Sequence, residues 1–133
     1  MLEGRDWHAA AGASASAIEE LQAAAAPLCL PDSFLRLLSF SNGGEGPLPV
    51  NPCYFQLDEA QEVKASIASG NHGRPDLEGF LIFGSNGGGE YLALDTRDSA
   101  PWPVVTIDMV AGGDSAEVVS PDFDSFIELI GVK

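Results

Sequence analysis

Basic side chains are scarce in this chain: six lysines and arginines stand against 20 acidic residues, for a formal charge of −14. That balance disfavours binding to nucleic acid or to an anionic membrane, since both present phosphates. It suits a protein partner with a basic surface, which the field would attract and steer. Soft metal ligands are also few. Cys29 and Cys53 make no disulfide framework, and with only His8 and His72 beside them they cannot assemble a zinc site. Neither metal nor cofactor is expected. No uninterrupted apolar run approaches the ~18–20 residues of a membrane span. The N-terminus lacks a signal-peptide pattern, because Glu3, Arg5 and Asp6 mix charges before a weakly apolar Ala/Ser/Gly run. A cytoplasmic protein with reduced thiols follows as the expectation.

What the chain does have is a glycine-rich turn between two apolar runs, Phe83-Gly84-Ser85-Asn86-Gly87-Gly88-Gly89-Glu90 leading into Tyr91-Leu92-Ala93-Leu94-Asp95. Phe80 to Phe83 has the length and residue types of a buried strand. Asn86-Gly87 is turn chemistry, so the second strand returns antiparallel. Along it Tyr91, Ala93 and Asp95 share one face, and Leu92 and Leu94 the other. Gly88 or Gly89 is expected to hold a positive φ.

The rest of the chain is helix, then strands, then helix. Residues 1–13 carry little patterning and read as a flexible tail, with a single domain over 14–133. A helix is expected from Ser14 or Ser16, with Ile18, Leu21, Ala25 and Leu28 at helical spacing. A second opens at Pro31, buries Phe34, Leu35, Leu37 and Leu38, and stops at Asn42-Gly43-Gly44. Pro47 to Pro52 suggests an extended crossing, followed by a short strand over Cys53 to Leu57. Asp58 with Gln61 resembles a capping box opening a third helix that ends at Gly70. Trp102 to Asp108 and Glu117 to Val119 read as further strands. A last helix begins near Ser120 or Pro121 and buries Phe123, Phe126, Ile127 and Ile130. The sum is an α+β domain with a mostly antiparallel sheet, N-terminal helices and a C-terminal helix.

Catalytic constellations are not legible. Glu90, not lysine, follows the glycines, and a strand, not a helix, follows Glu90, so the turn is no phosphate loop. Ser85 lacks a nucleophile elbow. Glu90 and Asp95 lie five residues apart on a strand and face opposite sides unless a bulge intervenes. Asp122 and Asp124 lack the other ligands of a calcium loop, and helix capping explains them better.

Leu30-Pro31, the apolar helix and Asn42-Gly43-Gly44 resemble the opening motif of the SUKH superfamily. Phe83-Gly84-Ser85, Gly88-Gly89-Glu90 and Asp95 are similar to its second signature. Pro103-Val104-Val105 and the Phe123 to Leu129 helix then fall in its usual order. The likeness covers about residues 16 to 131 and departs from the pattern between Pro47 and Cys53. It implies a binding domain, in bacteria commonly an immunity protein that neutralises a cognate toxin, and with no catalytic constellation legible an enzyme is not expected. Other members, including a fungal cell-wall regulator, bind endogenous partners as regulatory scaffold modules, and that is the alternative. An immunity protein would occlude the toxin's active or substrate-binding face, and a basic nuclease is a natural target for so acidic a chain. Glu90, Asp95, Asp98, Asp114 and Glu117 are the expected acidic contacts. Tyr91 or Trp102 is the expected aromatic anchor, with burial in the core as the competing role for each.

Overall fold

Two-residue alternation sets the centre of the molecule. In the computed structural model, which describes residues 1–133, β4 (Phe80–Ser85) and β5 (Glu90–Asp95) pair antiparallel across the turn at 86–89. Leu81, Phe83, Leu92 and Leu94 enter the larger apolar cluster on one face. Phe80, Ile82 and Ala93 enter a smaller one on the other, with Tyr91 packed at its margin. The sheet is completed by β1 (His8–Ala9), β2 (Gly44–Pro47), β3 (Tyr54–Leu57), β6 (Val104–Asp108) and β7 (Glu117–Ser120). All seven strands lie in chain order, each antiparallel to the next.

One sheet face is covered by α1 (Ala15–Ala25), α2 (Asp32–Phe40), α3 (Ala60–Ala68) and α5 (Phe123–Ile127). Their apolar stripes bring Leu21, Phe34, Leu37, Leu38, Val63, Phe123 and Phe126 onto the strands. Five phenylalanines, Phe34, Phe55, Phe83, Phe123 and Phe126, interlock there with centroids 5.2–5.8 Å apart. Edge-to-face contacts of this kind stabilise beyond the area they bury. The other face is covered only in part, by 3-10 turns at Pro75–Leu77 and Gly112–Ser115 and by the single turn α4 (Gly70–Gly73). Residues 70 to 73 all have positive φ, at 61°, 56°, 61° and 73°, so α4 is wound left-handed. Asn71 holds it down: its buried amide donates to the carbonyls of Leu77 at 2.7 Å and Phe80 at 2.9 Å.

The α+β class and the helical ends are as the sequence predicts. Several local expectations are corrected. The first dozen residues are not a free tail: Leu2 is buried, β1 pairs with β2, and Trp7 packs on Phe55 with centroids 5.7 Å apart. Arg5 adds hydrogen bonds to the carbonyls of Ile127 and Ile130. The region after Gly43 is a hairpin, β2 against β3, with Glu45 opposite Gln56. Asn42 does more than end α2, since its side-chain oxygen accepts from Ala60 N at 2.7 Å and so helps open α3. The capping box sits one residue later than expected, on Glu59 and Glu62. In the central turn the positive φ belongs to Gly87, at 77°, and not to Gly88 or Gly89. The close approach falls at Gly84, where a Cβ would strike the Gln56 carbonyl oxygen and lie 2.7 Å from Phe55 Cε1. A register shift between Ile82 and Gly84 accompanies it. β6 begins at Val104, two positions after Trp102, and α5 is a short helix capped by Asp122, whose side chain accepts from Ser125 N at 2.7 Å.

Candidate partner-binding surface

The residues expected to meet a partner lie in separate settings. Asp95, Asp98 and Asp114 gather around Arg97, which donates to Asp95 at 2.8 and 2.9 Å and feels the charges of the other two. The hydrogen bonds from Arg97 hold the Asp95 carboxyl below its ordinary range, and the guanidinium lies 4.6 Å from the Phe80 ring centre. Asp95 is thus engaged internally, while Asp98 and Asp114 remain exposed. Glu117 is exposed on the edge strand β7, beside Val118, which is 68% exposed. Glu90 opens β5 directly opposite Asp108, a pairing of like charges that costs stability unless one of them is satisfied. Asp108 is satisfied, because its Oδ1 accepts from Ala111 N and Val110 N, which keeps its pKa low. Trp102 is buried in the core, with its Nε1 donating to the Asp98 carbonyl at 3.0 Å. Its burial follows from its place just before β6, over the face that the helices cover.

Tyr91 differs. It is half-buried on the less covered face, in a row running across five strands in register: His8, Glu45, Gln56, Ser85 and Tyr91. Opposed residues of an antiparallel pair point to the same side, so these polar side chains form one strip. Tyr54 lies on the same side, two positions from Gln56, and both tyrosines of the chain therefore share this face. Gln56 Nε2 donates to Glu45 at 2.8 Å. Desolvation first, then the Glu45 carboxylate, holds the Tyr54 phenol above its usual pKa. Half-exposed tyrosines amid polar groups form a surface of the kind that protein interfaces favour.

At the Tyr91 end the strip meets a cavity of about 360 Å³ between the sheet, α3 and α4. Asp58, Glu62, His72, Ser85, Tyr91 and Met109 line it. Asp58 reaches it because the helix cap falls on Glu59, leaving the Asp58 side chain free while its backbone N–H bonds the Phe83 carbonyl at 2.9 Å. Burial, and then the neighbouring Glu62, push the Asp58 pKa up to about 6, with His72 pulling against them. A serine, a histidine and an aspartate share this cavity, yet no hydrogen bond joins any two of them. Ser85 Oγ accepts from Gly87 N, and the His72 backbone N–H bonds Ser69. Nucleophilic catalysis needs the nucleophile and base in contact, and this grouping shows no such contact. Carboxylates, a ring and a thioether in one recess suit a bound cation better than a bond-breaking step.

The strip and the cavity escape sequence reasoning because register and a left-handed turn create them. The alternation of Tyr54 and Gln56 against Phe55 and Leu57 was the available signal for the strip. A comparison with family models gives a match to the SMI1 / KNR4 family (SUKH-1) over residues 12–129. No curated protein matches the chain.

Proposed function

The chain belongs to the SMI1/KNR4 family (SUKH-1), and from that premise we propose that it is an immunity protein, neutralising a cognate toxin by covering its active or substrate-binding face. The family is generally one of non-catalytic immunity and binding domains, and the chain holds no assembled nucleophile and base. The observation that carries the reading, beside the family, is uncompensated charge. Of 20 acidic residues, five have a cationic partner within ion-pair reach, namely Glu3, Asp6, Glu20, Asp76 and Asp95. Between Arg97 and Lys133 no basic residue occurs at all. A nuclease toxin fits such a surface, since its substrate groove must be basic to hold phosphates.

The test is neutralisation. A toxin domain encoded immediately upstream would be expressed in a susceptible cell with and without this protein. Restored growth, together with a complex that survives gel filtration, is the expected result. Growth inhibition unchanged by the protein would overturn the immunity reading. In that case a regulatory scaffold domain for an endogenous partner becomes the better one.

A further inference from the structure

We propose that the cavity beside Tyr91 receives an arginine side chain from a basic segment of the partner laid along the open sheet face, with Asp58 and Glu62 as its counter-charges. The inference deepens the immunity reading and rests on it only for the nature of the partner. Two features of the structure and one property of the arginine side chain support it. The strip from Glu45 through Gln56 and Ser85 to Tyr91 is a polar, half-buried row on the less covered sheet face, with Gly87 beside Gln56 and Arg74 beside Tyr91. At its end is a recess of about 360 Å³ lined by Gly84, Ser85, Tyr91 and Met109 together with Asp58 and Glu62. A planar guanidinium can stack on a ring or thioether while its N–H fork meets carboxylates, and lysine cannot do both.

Charge complementarity selects the occupant. The recess is lined by two carboxylates and one imidazole, His72, and by no lysine or arginine. The basic side chains of the neighbouring segments have partners of their own: Arg74 bonds Asp76 and the Met109 carbonyl and lies by the Tyr91 phenol, and Lys64 lies 4.0 Å from Glu20. The larger cleft of about 620 Å³ on the far side of α4 carries no comparable demand, for its arginine is the same Arg74. The groups facing Asp58 are Glu62 from α3 and His72 from α4, with Tyr91 from β5 across the recess and Arg74 beyond it, bonded to Asp76 and close to the Tyr91 phenol. A cation entering here displaces the proton that Asp58 otherwise keeps until about pH 6. Binding then weakens as the solution is acidified through that value.

The probe is acetyl-Gly-Arg-Gly-amide, titrated into the isotope-labelled full chain and followed by backbone amide shifts. Saturable shifts at Glu62, Gly84, Ser85 and Tyr91 are expected, and the neutral citrulline peptide should bind at least about tenfold more weakly. Affinity should fall about tenfold between pH 7.5 and pH 5, the change in ionised fraction for a group titrating near 6. Asp58→Asn, isosteric and with its backbone bond intact, should bind weakly at both pH values, and Glu62→Gln should show a smaller loss. His72→Asn should keep the pH dependence. Equal binding of the arginine and citrulline peptides, or shifts confined to Asp98, Asp114 and Glu117, overturns the proposal. So does wild-type affinity in Asp58→Asn, or a pH dependence that vanishes in His72→Asn. A lysine peptide that binds more tightly than the arginine one overturns the guanidinium assignment. No toxin enters this experiment, so its failure leaves the immunity reading standing. Failure of neutralisation with a positive titration would instead keep the recess as the docking point of a different basic partner.

Discussion

At the scale of single residues, Asp58 and Gly84 carry the clearest consequences. The folded-state pKa of Asp58 is raised from 3.8 to about 6, so the native protein holds that proton more tightly than the unfolded chain does. The sign is therefore the reverse of the usual aspartate. Its penalty is absent below about pH 4, grows as pH rises towards 6, and is complete above that. Asp76, Asp95 and Asp108 have lowered values, and their stabilisation is lost only as pH falls below the ordinary carboxylate range. The two windows do not overlap. Asp58→Asn should raise neutral-pH stability by about 1–2 kcal/mol, after discounting for partial exposure, and flatten the slope between pH 4 and 6. Urea melts across that range decide it, and a variant with the wild-type slope would sink the argument. Gly84 concerns packing. A methyl group there meets the Gln56 carbonyl and the Phe55 ring, whereas one on Gly89 meets nothing within 4 Å. Gly84→Ala should cost about 1–3 kcal/mol and Gly89→Ala almost nothing. Equal thermal melts for the two would show that the strands yield more easily than their spacing implies.

At the scale of elements, the N-terminal segment and α4 are where local pattern misleads. Met1 to Gly12 has no periodicity of its own, because its order comes from β2, Phe55 and the end of α5. Leu2 is 3% exposed, and Leu2→Ala should destabilise by about 2–4 kcal/mol. A truncation starting at Ala13 that melts with the full chain would restore the idea of a free tail. In α4, Asn71 sits at φ 56° and ψ 52°, where a side chain is strained and only local hydrogen bonding compensates. Asn71→Ala loses both carbonyl contacts and keeps the strain. Asn71→Gly loses the contacts but relieves the strain. The alanine variant should be the less stable by about 1 kcal/mol. Chemical denaturation of the pair separates these terms, and equal midpoints would remove strain from the account.

At the scale of the whole molecule, net charge governs encounter more than fold. Asp98, Asp108, Asp114, Glu117, Asp124 and Glu128 are all exposed along the last third of the chain. Their summed field accelerates association with a cationic surface, and salt shortens its reach to about 8 Å at physiological strength. Association with a basic toxin should therefore slow steeply from low to physiological salt, and Asp114→Lys with Glu117→Lys should slow it further. Stopped-flow binding over a salt series measures this. A rate that ignores both salt and the double reversal would remove steering through this surface. Dissociation is a separate matter, set by desolvated contacts such as those proposed at Asp58, so charge reversal at the rim should leave it nearly unchanged.

Whatever depends on neighbours along the chain was legible in the sequence. Alternation placed Leu92 and Leu94 opposite Tyr91 and Ala93, helical spacing placed Phe34, Leu37 and Leu38 inward, and the Asp122 cap was visible beside Phe123. The order of the glycine and asparagine motifs sufficed for the family. Tertiary structure alone decided what depends on register and on close approach. It put Glu45, Gln56, Ser85 and Tyr91 in one row, although residues 45 and 91 are far apart in the chain. It shifted the cap from Asp58 to Glu59 and so released a carboxylate into a cavity. It buried Trp102, whose composition suits an anchor as well as a core. The physical reason is common to all three. Side-chain direction repeats with the local backbone, but which side chains meet is set by strand pairing and packing between segments that no local period links.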